Sequence, residues 1–138
     1  MMLRRDAKVE LLKRVPLFSE CSKKELGEIA RLADEIDVDA GEVLTSEGAS
    51  GREFFVLVDG AADVLRDGVK VSTLGSGDFF GEISLVSDRP RTATVTTTAP
   101  GRLLVVTDRA FRELMRKLPS IQLKVLTALA DRLAADAA

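Results

Sequence analysis

The chain has 138 residues, a length typical of one domain. Hydrophobic residues make up 46% and charged residues 30%, which excludes a wholly disordered chain. The 20 Lys and Arg residues nearly balance the 22 Asp and Glu residues, so no broad surface for nucleic-acid phosphates is expected. Histidine is absent, which excludes imidazole-based metal sites and catalysis by Ser–His–Asp or Cys–His groups.

Cysteine usage and the lack of long apolar runs indicate the compartment. Cys21 is the single cysteine, and a reduced thiol in a cytoplasmic protein is its expected state. No apolar run reaches the roughly 20 residues that cross a bilayer, and the charged N-terminus lacks the apolar segment of a signal peptide. We expect a cytoplasmic protein with no metal or cofactor, bound to neither membrane nor nucleic acid.

Residues 1–33 are predicted to form N-terminal helices. Apolar residues recur every three positions from Val9 until Pro16 interrupts the pattern. Ser22 and Glu25 then have the spacing of a capping box, and an amphipathic stretch follows them. The second of these helices is therefore predicted to begin just after Ser22.

Residues 34–107 are predicted to form β-structure. The apolar run at residues 54–58 is typical of a buried strand, and an Asp-Gly turn signal ends it at residues 59–60. A second Asp-Gly turn at residues 67–68 separates two further short strands. Short strands about ten residues apart, joined by glycine-marked turns, indicate an all-β sandwich or jelly roll rather than a parallel α/β sheet.

Helix is predicted again over residues 108–138, as two helices. Asp108 has the character of an N-cap for the first, and Pro119 suits the first turn of the second. Apolar residues recur every four positions from Ile121 to Leu133. We expect this stripe either to cover a ligand pocket or to pair with a second subunit.

The segment at residues 77–95 departs from the alternating pattern of the other strands. Gly81 permits a positive φ or a close approach to a ligand, and a short helix just after it would present free N–H groups to an anion. Arg91 lies ten positions after this glycine, at the start of the following strand, and can neutralise the same anion. Glu82 would repel an anion, so we expect it to accept a hydrogen bond from a sugar hydroxyl elsewhere on the ligand.

This segment resembles the phosphate-binding cassette of cyclic nucleotide-binding domains. The sequences that carry the resemblance are FGEISL at residues 80–85 and PRTATV at residues 90–95, so that the cassette spans residues 80–95 without insertion. That family includes cAMP-responsive bacterial regulators, protein-kinase regulatory subunits and cyclic-nucleotide-gated channels. The resemblance covers nearly the whole chain. It implies one domain over residues 1–138: an eight-stranded β-roll of the jelly-roll type, with N-terminal helices and two C-terminal helices.

The resemblance also implies how the anion is held. The Arg91 side chain would pair with the exocyclic phosphate of a cyclic nucleotide. The backbone N–H groups around Ile83, Ser84 and Thr92 would surround the same phosphate.

The resemblance places the ribose at the start of the same segment. Glu82, helped by the Gly81 amide, would hold the ribose 2′-hydroxyl.

The base is expected against the inner wall of the roll, at Val64, Val71 and Leu74, with the last helix as a lid. Arg132 of that helix would stack on the base, as lid arginines do in channel-type members. Thr92 would either meet the guanine amino group of cGMP or add a bond to the phosphate of any cyclic nucleotide. We favour cAMP over cGMP because bacterial-type members, which this chain resembles, mostly serve cAMP.

Plain structural roles are the alternatives for these residues. Arg91 could be a surface arginine paired with Asp88 or Glu82. Glu82 could be a helix-capping acid, and Arg132 could be a solvated charge.

The expected function is that of a sensor, not an enzyme, because the cassette offers no general base opposite a nucleophile. Binding would shift the helix from Pro119 onward between open and closed states, and that helix would contact an effector protein or form a homodimer. The alternatives are a non-binding interaction module of the same fold, or the N-terminal part of a cAMP-receptor-like transcription regulator. The most basic stretch, residues 109–117, is expected to use its apolar face for the core rather than to recognise DNA.

Overall fold

The computed structural model of the protein describes residues 5–87 and 89–137. The helices are α1 (Arg5–Lys13), α2 (Lys23–Leu32), α3 (Glu82–Ser87), α4 (Asp108–Lys117) and α5 (Pro119–Ala137), with a 3-10 turn at Pro16–Phe18. The strands are β1 (Asp34–Val38), β2 (Val43–Thr45), β3 (Glu53–Asp59), β4 (Ala61–Arg66), β5 (Val69–Gly75), β6 (Phe79–Phe80), β7 (Thr94–Thr97) and β8 (Gly101–Thr107).

The eight strands form two four-stranded antiparallel sheets. One sheet has the order β1-β8-β3-β6 and the other has the order β2-β7-β4-β5. The predicted eight-stranded roll, with helices before it and two helices after it, is confirmed. The short helix α3 lies between β6 and β7 in the chain, so the cassette bridges the two sheets.

The predicted turn at residues 67–68 forms a tight hairpin between β4 and β5. Asp67 has a φ of 50° and Gly68 a φ of 77°, as a type I′ turn requires at both central positions. The backbone twist of this turn matches the twist of the paired strands, and the turn sets the pairing of Arg66 with Val69 and of Leu65 with Lys70, before the register shifts at Val64. These two strands form one wall of the roll.

Strand β3 is buried on both faces. Phe55 and Leu57 point into the roll, whereas Phe54, Val56 and Val58 belong to a second core beneath the helices. Successive side chains of a strand alternate between faces, and a continuous apolar run therefore indicates a strand covered on both sides. On the outer side, α3 and α4 contact β3, and the second core also contains residues of α1, α2 and α5.

The apolar stripe of α5 is part of that outer core. Ile121, Val125 and Leu129 are buried there. The expectation that this stripe covers a ligand pocket or pairs with a second subunit is therefore wrong for these three residues, because they are already buried in the outer core, where α5 packs on α3, α4 and the 3-10 turn. The side chain of Leu133 lies outside the described residues. No helix in the two described ranges combines the length and apolar character needed to span a membrane.

The predicted N-terminal cap is confirmed for α2 and wrong for α4. The capping box at α2 is present: Glu25 N donates to Ser22 Oγ (3.2 Å) and Ser22 N donates to Glu25 Oε1 (2.8 Å). At α4, however, Thr107 is the cap, since its Oγ1 accepts from the Ala110 N–H at 3.2 Å. The prediction of Asp108 as N-cap is wrong because β8 stays extended through Thr107, which makes Asp108 the first helical residue.

Candidate ligand site in the β-roll

A cavity of about 600 Å³ opens between the wall formed by β4 and β5 and the cassette. This volume lies within the range of ~300–1,000 Å³ typical of small-molecule sites. The structure brings all of the predicted site residues to its lining: Val64, Val71, Leu74, Gly81, Glu82, Ile83, Ser84, Arg91, Thr92 and Arg132. Their individual roles toward a ligand stay predictions.

Gly81 sets the direction of the chain at the start of α3. Its φ is 94°, and a Cβ atom there would lie 2.8 Å from the Glu53 carbonyl oxygen and 3.0 Å from Arg91 Nη1. Glycine is therefore required both for the backbone conformation and for the close approach. Ile83 and Ser84 follow in the first turn of α3, where backbone N–H groups have no partner within the helix.

Arg91 is buried, with 5% of its surface exposed. Its Nη1 donates to the Gly81 carbonyl (3.1 Å) and its Nη2 to the Glu53 carbonyl (2.8 Å), while its Cζ lies 5.8 Å from the centre of the Phe55 ring. These bonds use two of the five N–H groups of the guanidinium, which leaves donors for a ligand. The alternative of a surface arginine is thus wrong.

The charges near Arg91 differ from those expected. Its Nη2 lies 3.8 Å from Glu53 Oε2, and no ion pair joins it to Glu82 in the described part of the chain. Burial lowers the pKa of the Arg91 guanidinium, and the carboxylates of Glu53 and Glu82 partly oppose that shift. Asp88, the other expected partner, lies outside the described residues.

Backbone bonds hold the loop before β3 against Arg91. Gly48 N donates to the Arg91 carbonyl and Arg91 N donates to the Ala49 carbonyl, each at 2.8 Å. The loop then passes so close to the guanidinium that a Cβ atom on Gly51 would lie 1.8 Å from Arg91 Nε. Gly51 thus leaves the space in which the arginine lies.

Glu82 is fully buried and only half satisfied. Its Oε1 forms a salt bridge with Nη1 of Arg132 from α5. Its Oε2 is also buried and has no hydrogen-bond partner among the described residues. Buried polar atoms in native proteins are nearly always paired, so this oxygen needs a donor that the described residues do not supply.

Arg132 connects α5 to the cassette. Besides its salt bridge to Glu82, its Nη2 donates to the Phe79 carbonyl at 2.6 Å, and its Cζ lies 5.1 Å from the centre of the Phe79 ring. The alternative of a solvated helix charge is therefore wrong. Stacking of Arg132 on a base stays a prediction, and in this structure the guanidinium lies over Phe79 instead.

The three residues predicted to contact the base differ in how far their side chains are buried. Val64 and Leu74 are half-buried and pack against the inner core of the roll, whereas Val71 is 52% exposed at the rim of the cavity. Thr92 is half-buried, and its carbonyl accepts a hydrogen bond from Arg66 Nε at 3.1 Å. The Thr92 position is thereby tied to β4.

Sequence reasoning assigned no site role to Arg66, Gly51 or Glu53, nor to five further residues that line the cavity: Thr45, Ser72, Phe80, Ala93 and Val95. Arg66 lines the cavity, and its place on β4 two positions after Val64 is a signal that could have identified it, because alternate strand residues share a face. Gly51 and Glu53 carry no such signal, since only the folded chain brings them to Arg91. With Arg66 included, three arginines and one carboxylate line the cavity, which favours an anionic ligand.

Comparison with known proteins places this geometry in a family. Residues 35–118 match the family of the cyclic nucleotide-binding domain. The cAMP-dependent protein kinase regulatory subunit of Mycosarcoma maydis is 38% identical, over 86% of this chain and 24% of that protein. The chain thus spans about a quarter of the length of this relative.

Two solved structures share the fold. The regulatory domain of Toxoplasma gondii PKA, solved with cAMP, has a TM-score of 0.81 at 23% identity and covers 92% of this chain and 50% of that one. The regulatory subunit of a cAMP-independent protein kinase A from Trypanosoma brucei has a TM-score of 0.82 at 22% identity and covers 93% of this chain and 46% of that one. One was solved with cAMP and the other is named for a cAMP-independent kinase, so this likeness shows the fold and the ligand must be argued from the site. The sequence match over most of the roll shows that this chain belongs to the cyclic nucleotide-binding domain family.

Proposed function

We propose that this domain is a non-enzymatic sensor that binds a cyclic nucleotide, with cAMP favoured over cGMP, and transmits binding through α5. One observation carries the proposal: the same cavity is lined by a buried guanidinium, Arg91, and by a buried carboxylate, Glu82, whose Oε2 has no partner among the described residues. A ligand that satisfies both must carry an anion and a hydroxyl donor. A cyclic nucleotide has both, on its phosphate and its ribose.

The phosphate is assigned to the cassette. Arg91 is fixed by the Gly81 and Glu53 carbonyls, so its remaining donors are positioned before the ligand arrives. The N–H groups of Ile83, Ser84 and Thr92 complete the proposed phosphate site. Arg66 adds positive charge to the same cavity.

The ribose is assigned to Glu82 and Gly81. A 2′-hydroxyl that donates to Glu82 Oε2 would supply the partner that the described residues do not provide. An unpaired buried oxygen raises the free energy of the ligand-free protein. A ligand that pairs with this oxygen favours the arrangement in which Glu82 contacts Arg132.

This link to Arg132 provides the proposed route of transmission. Arg132 belongs to α5, so a ligand that stabilises the Glu82–Arg132 pair also stabilises the docked position of that helix. The names of the relatives favour an effector protein of the kinase type as the receiver of this change. A homodimer and a cytoplasmic location stay predictions.

Calorimetric titration of the 138-residue chain with cAMP and with cGMP tests the function. We expect micromolar or tighter binding, with cAMP bound more tightly, since the relative with 38% identity is named for cAMP. No heat and no thermal stabilisation with either nucleotide would leave an interaction module of the same fold as the better assignment.

The same titration on Thr92→Ala locates the threonine hydroxyl. We expect a similar loss of affinity for cAMP and cGMP, because Thr92 directly follows Arg91 and its carbonyl is held toward β4 by Arg66. A loss confined to cGMP would instead assign the hydroxyl to the guanine amino group.

Gly51→Ala is expected to weaken nucleotide binding while the protein stays folded. The new Cβ atom would lie 1.8 Å from Arg91 Nε, and the guanidinium, as the end of a flexible side chain, must move away. The φ of Gly51 is not positive, so the backbone tolerates alanine. We expect at least tenfold weaker cAMP binding by calorimetry, with the midpoint of thermal unfolding near that of the parent chain.

Gly75→Ala is the matched control for this substitution. Gly75 has no atom within 4 Å of an added Cβ and its φ is not positive, so both affinity and stability should be retained. If Gly51→Ala bound cAMP as tightly as the parent chain does, binding would not require the guanidinium position that Arg91 has in this structure.

A further inference from the structure

A second concavity, of about 740 Å³, lies on the outside of the roll between α3 and α4. We call it the arginine groove. Its lining combines apolar and cationic side chains: Leu85, Asp108, Arg109, Phe111, Arg112, Met115 and Arg116. None of these residues lines the ligand cavity.

Ion pairs occupy the part of the exposed surface of α4 that adjoins these arginines. Glu113 lies 3.0 Å from Lys117 and 3.7 Å from Arg31, and Lys117 lies 3.9 Å from Glu28. These contacts join α4 to α2. The Lys117 contact also holds the pKa of Glu113 below its ordinary value.

Arg109 and Arg116 of the groove lie beside Glu113 on the helix surface, and the charge of Arg116 contributes to the lowered pKa of Glu113. Arg109, Arg112 and Arg116 are exposed and share one helical face at spacings of three and four. Within the described ranges, no acidic side chain forms a salt bridge with any of the three. The nearby Asp108 carboxylate faces Arg52 instead, at 3.5 Å.

Apolar side chains adjoin this cationic row. Phe111 and Leu85 are buried, and Met115 is half-buried. The three arginines span about 10 Å of helix, at 1.5 Å per residue. This combination suits a short segment that offers carboxylates along one side and an apolar side chain toward Met115.

We propose that the arginine groove is a docking surface for an acidic protein segment that carries an apolar anchor. Charge complementarity favours this occupant, because the groove concentrates three arginines that form no salt bridge among the described residues, in a chain whose net charge is −2. An apolar floor suits a peptide side chain better than a nucleic-acid backbone, whose affinity comes from phosphate contacts.

The groove is physically connected to the ligand cavity through α3. Leu85 lines the groove, while Glu82 and Ser84 of the same six-residue helix line the cavity. An occupant that shifts α3 would change nucleotide affinity, and the nucleotide would change the affinity of the occupant by the same factor. This coupling rests on the proposed function, whereas the docking itself does not.

A labelled synthetic helical peptide tests the docking by fluorescence anisotropy on the whole chain at low ionic strength. The peptide carries three glutamates at helical spacing beside one phenylalanine, and a second peptide has glutamine in place of each glutamate. We expect the acidic peptide to bind, the neutral one to bind at least tenfold more weakly, and added salt to weaken binding.

Charge reversal locates the binding surface. Combined Arg109→Glu, Arg112→Glu and Arg116→Glu should reduce binding of the acidic peptide at least tenfold. A control with equal charge change, Arg14→Glu, Lys23→Glu and Lys24→Glu, should bind nearly as the parent chain does, because these exposed residues lie outside the groove. If the first variant does not fold by circular dichroism, the three arginines are changed to glutamine instead.

Three results would overturn the proposal. They are failure of the acidic peptide to bind the parent chain, an equal loss in the control variant, and tighter binding of duplex DNA or anionic vesicles through the same arginines. Peptide docking is measured without nucleotide, and cAMP binding is measured by calorimetry on the same samples. A failure of docking is therefore distinguished from a failure of the sensor function.

Discussion

Arg91→Ala is expected to reduce cAMP affinity by roughly thirty- to several-thousand-fold, as measured by calorimetry. Truncating one partner of a buried charge pair costs about 2–5 kcal/mol, and each 1.4 kcal/mol corresponds to about a factor of ten. Arg91 fits this case because it is buried and its guanidinium is already oriented by the Gly81 and Glu53 carbonyls. Removing it also takes the donors away from those two carbonyls.

Two further variants make this result interpretable. Arg91→Lys keeps a positive charge but lacks the planar fork that reaches both carbonyls and a phosphate, so it should recover only part of the affinity. Arg89→Ala removes an exposed arginine of the same segment and should bind cAMP as the parent chain does. Equal affinity in Arg91→Ala and Arg89→Ala would show that the phosphate lies elsewhere.

The residues of the cassette could be predicted because they are close in sequence. Gly81, Glu82 and Arg91 lie within one segment whose departure from strand alternation is visible without a structure. Within this segment a glycine with a positive φ comes first, α3 begins directly after it, and the arginine follows α3. Local chain geometry therefore carried enough information to place both charged groups in one cavity.

The supporting residues could not be predicted, since they reach the site only through tertiary contacts. Glu53 is 38 positions from Arg91 in the chain, and its carbonyl accepts a hydrogen bond from Arg91 Nη2. Gly51 acts by its small size, which no periodicity reveals. Sequence patterns register side-chain type and spacing, whereas these roles depend on a carbonyl and on an absent side chain.

The error over α5 has a different physical cause. A stripe of apolar residues shows that one face of a helix is buried, but not against which surface. The sequence did contain a further sign, because the unbroken apolar run at residues 54–58 indicates a strand that is covered on its outer face as well. In the structure the stripe and the outer face of that strand belong to the same core, in which α5 packs on α3, α4 and the 3-10 turn.

Glu82→Ala is expected to remove the ability of the protein to distinguish cAMP from 2′-deoxy-cAMP. A hydrogen bond to a charged group contributes about 1.5–3 kcal/mol, so the parent chain should bind the deoxy analogue roughly ten- to a hundredfold more weakly. The expected acceptor is Oε2, the buried oxygen without a partner among the described residues. Once the carboxylate is gone, the hydroxyl has no specific acceptor there, and calorimetry should give similar affinities for the two nucleotides.

Arg132→Ala separates the two oxygens of that carboxylate. Arg132 engages Oε1, so its removal leaves Oε2 in place, and the preference for cAMP over the deoxy analogue should persist. A preference that survives in Glu82→Ala would contradict the ribose assignment. If the preference is lost in Glu82→Ala and kept in Arg132→Ala, nucleotide and α5 hold the same carboxylate through different oxygens. The nucleotide then adds to the contact between Glu82 and α5 rather than displacing it, which is the condition for binding to stabilise the docked helix.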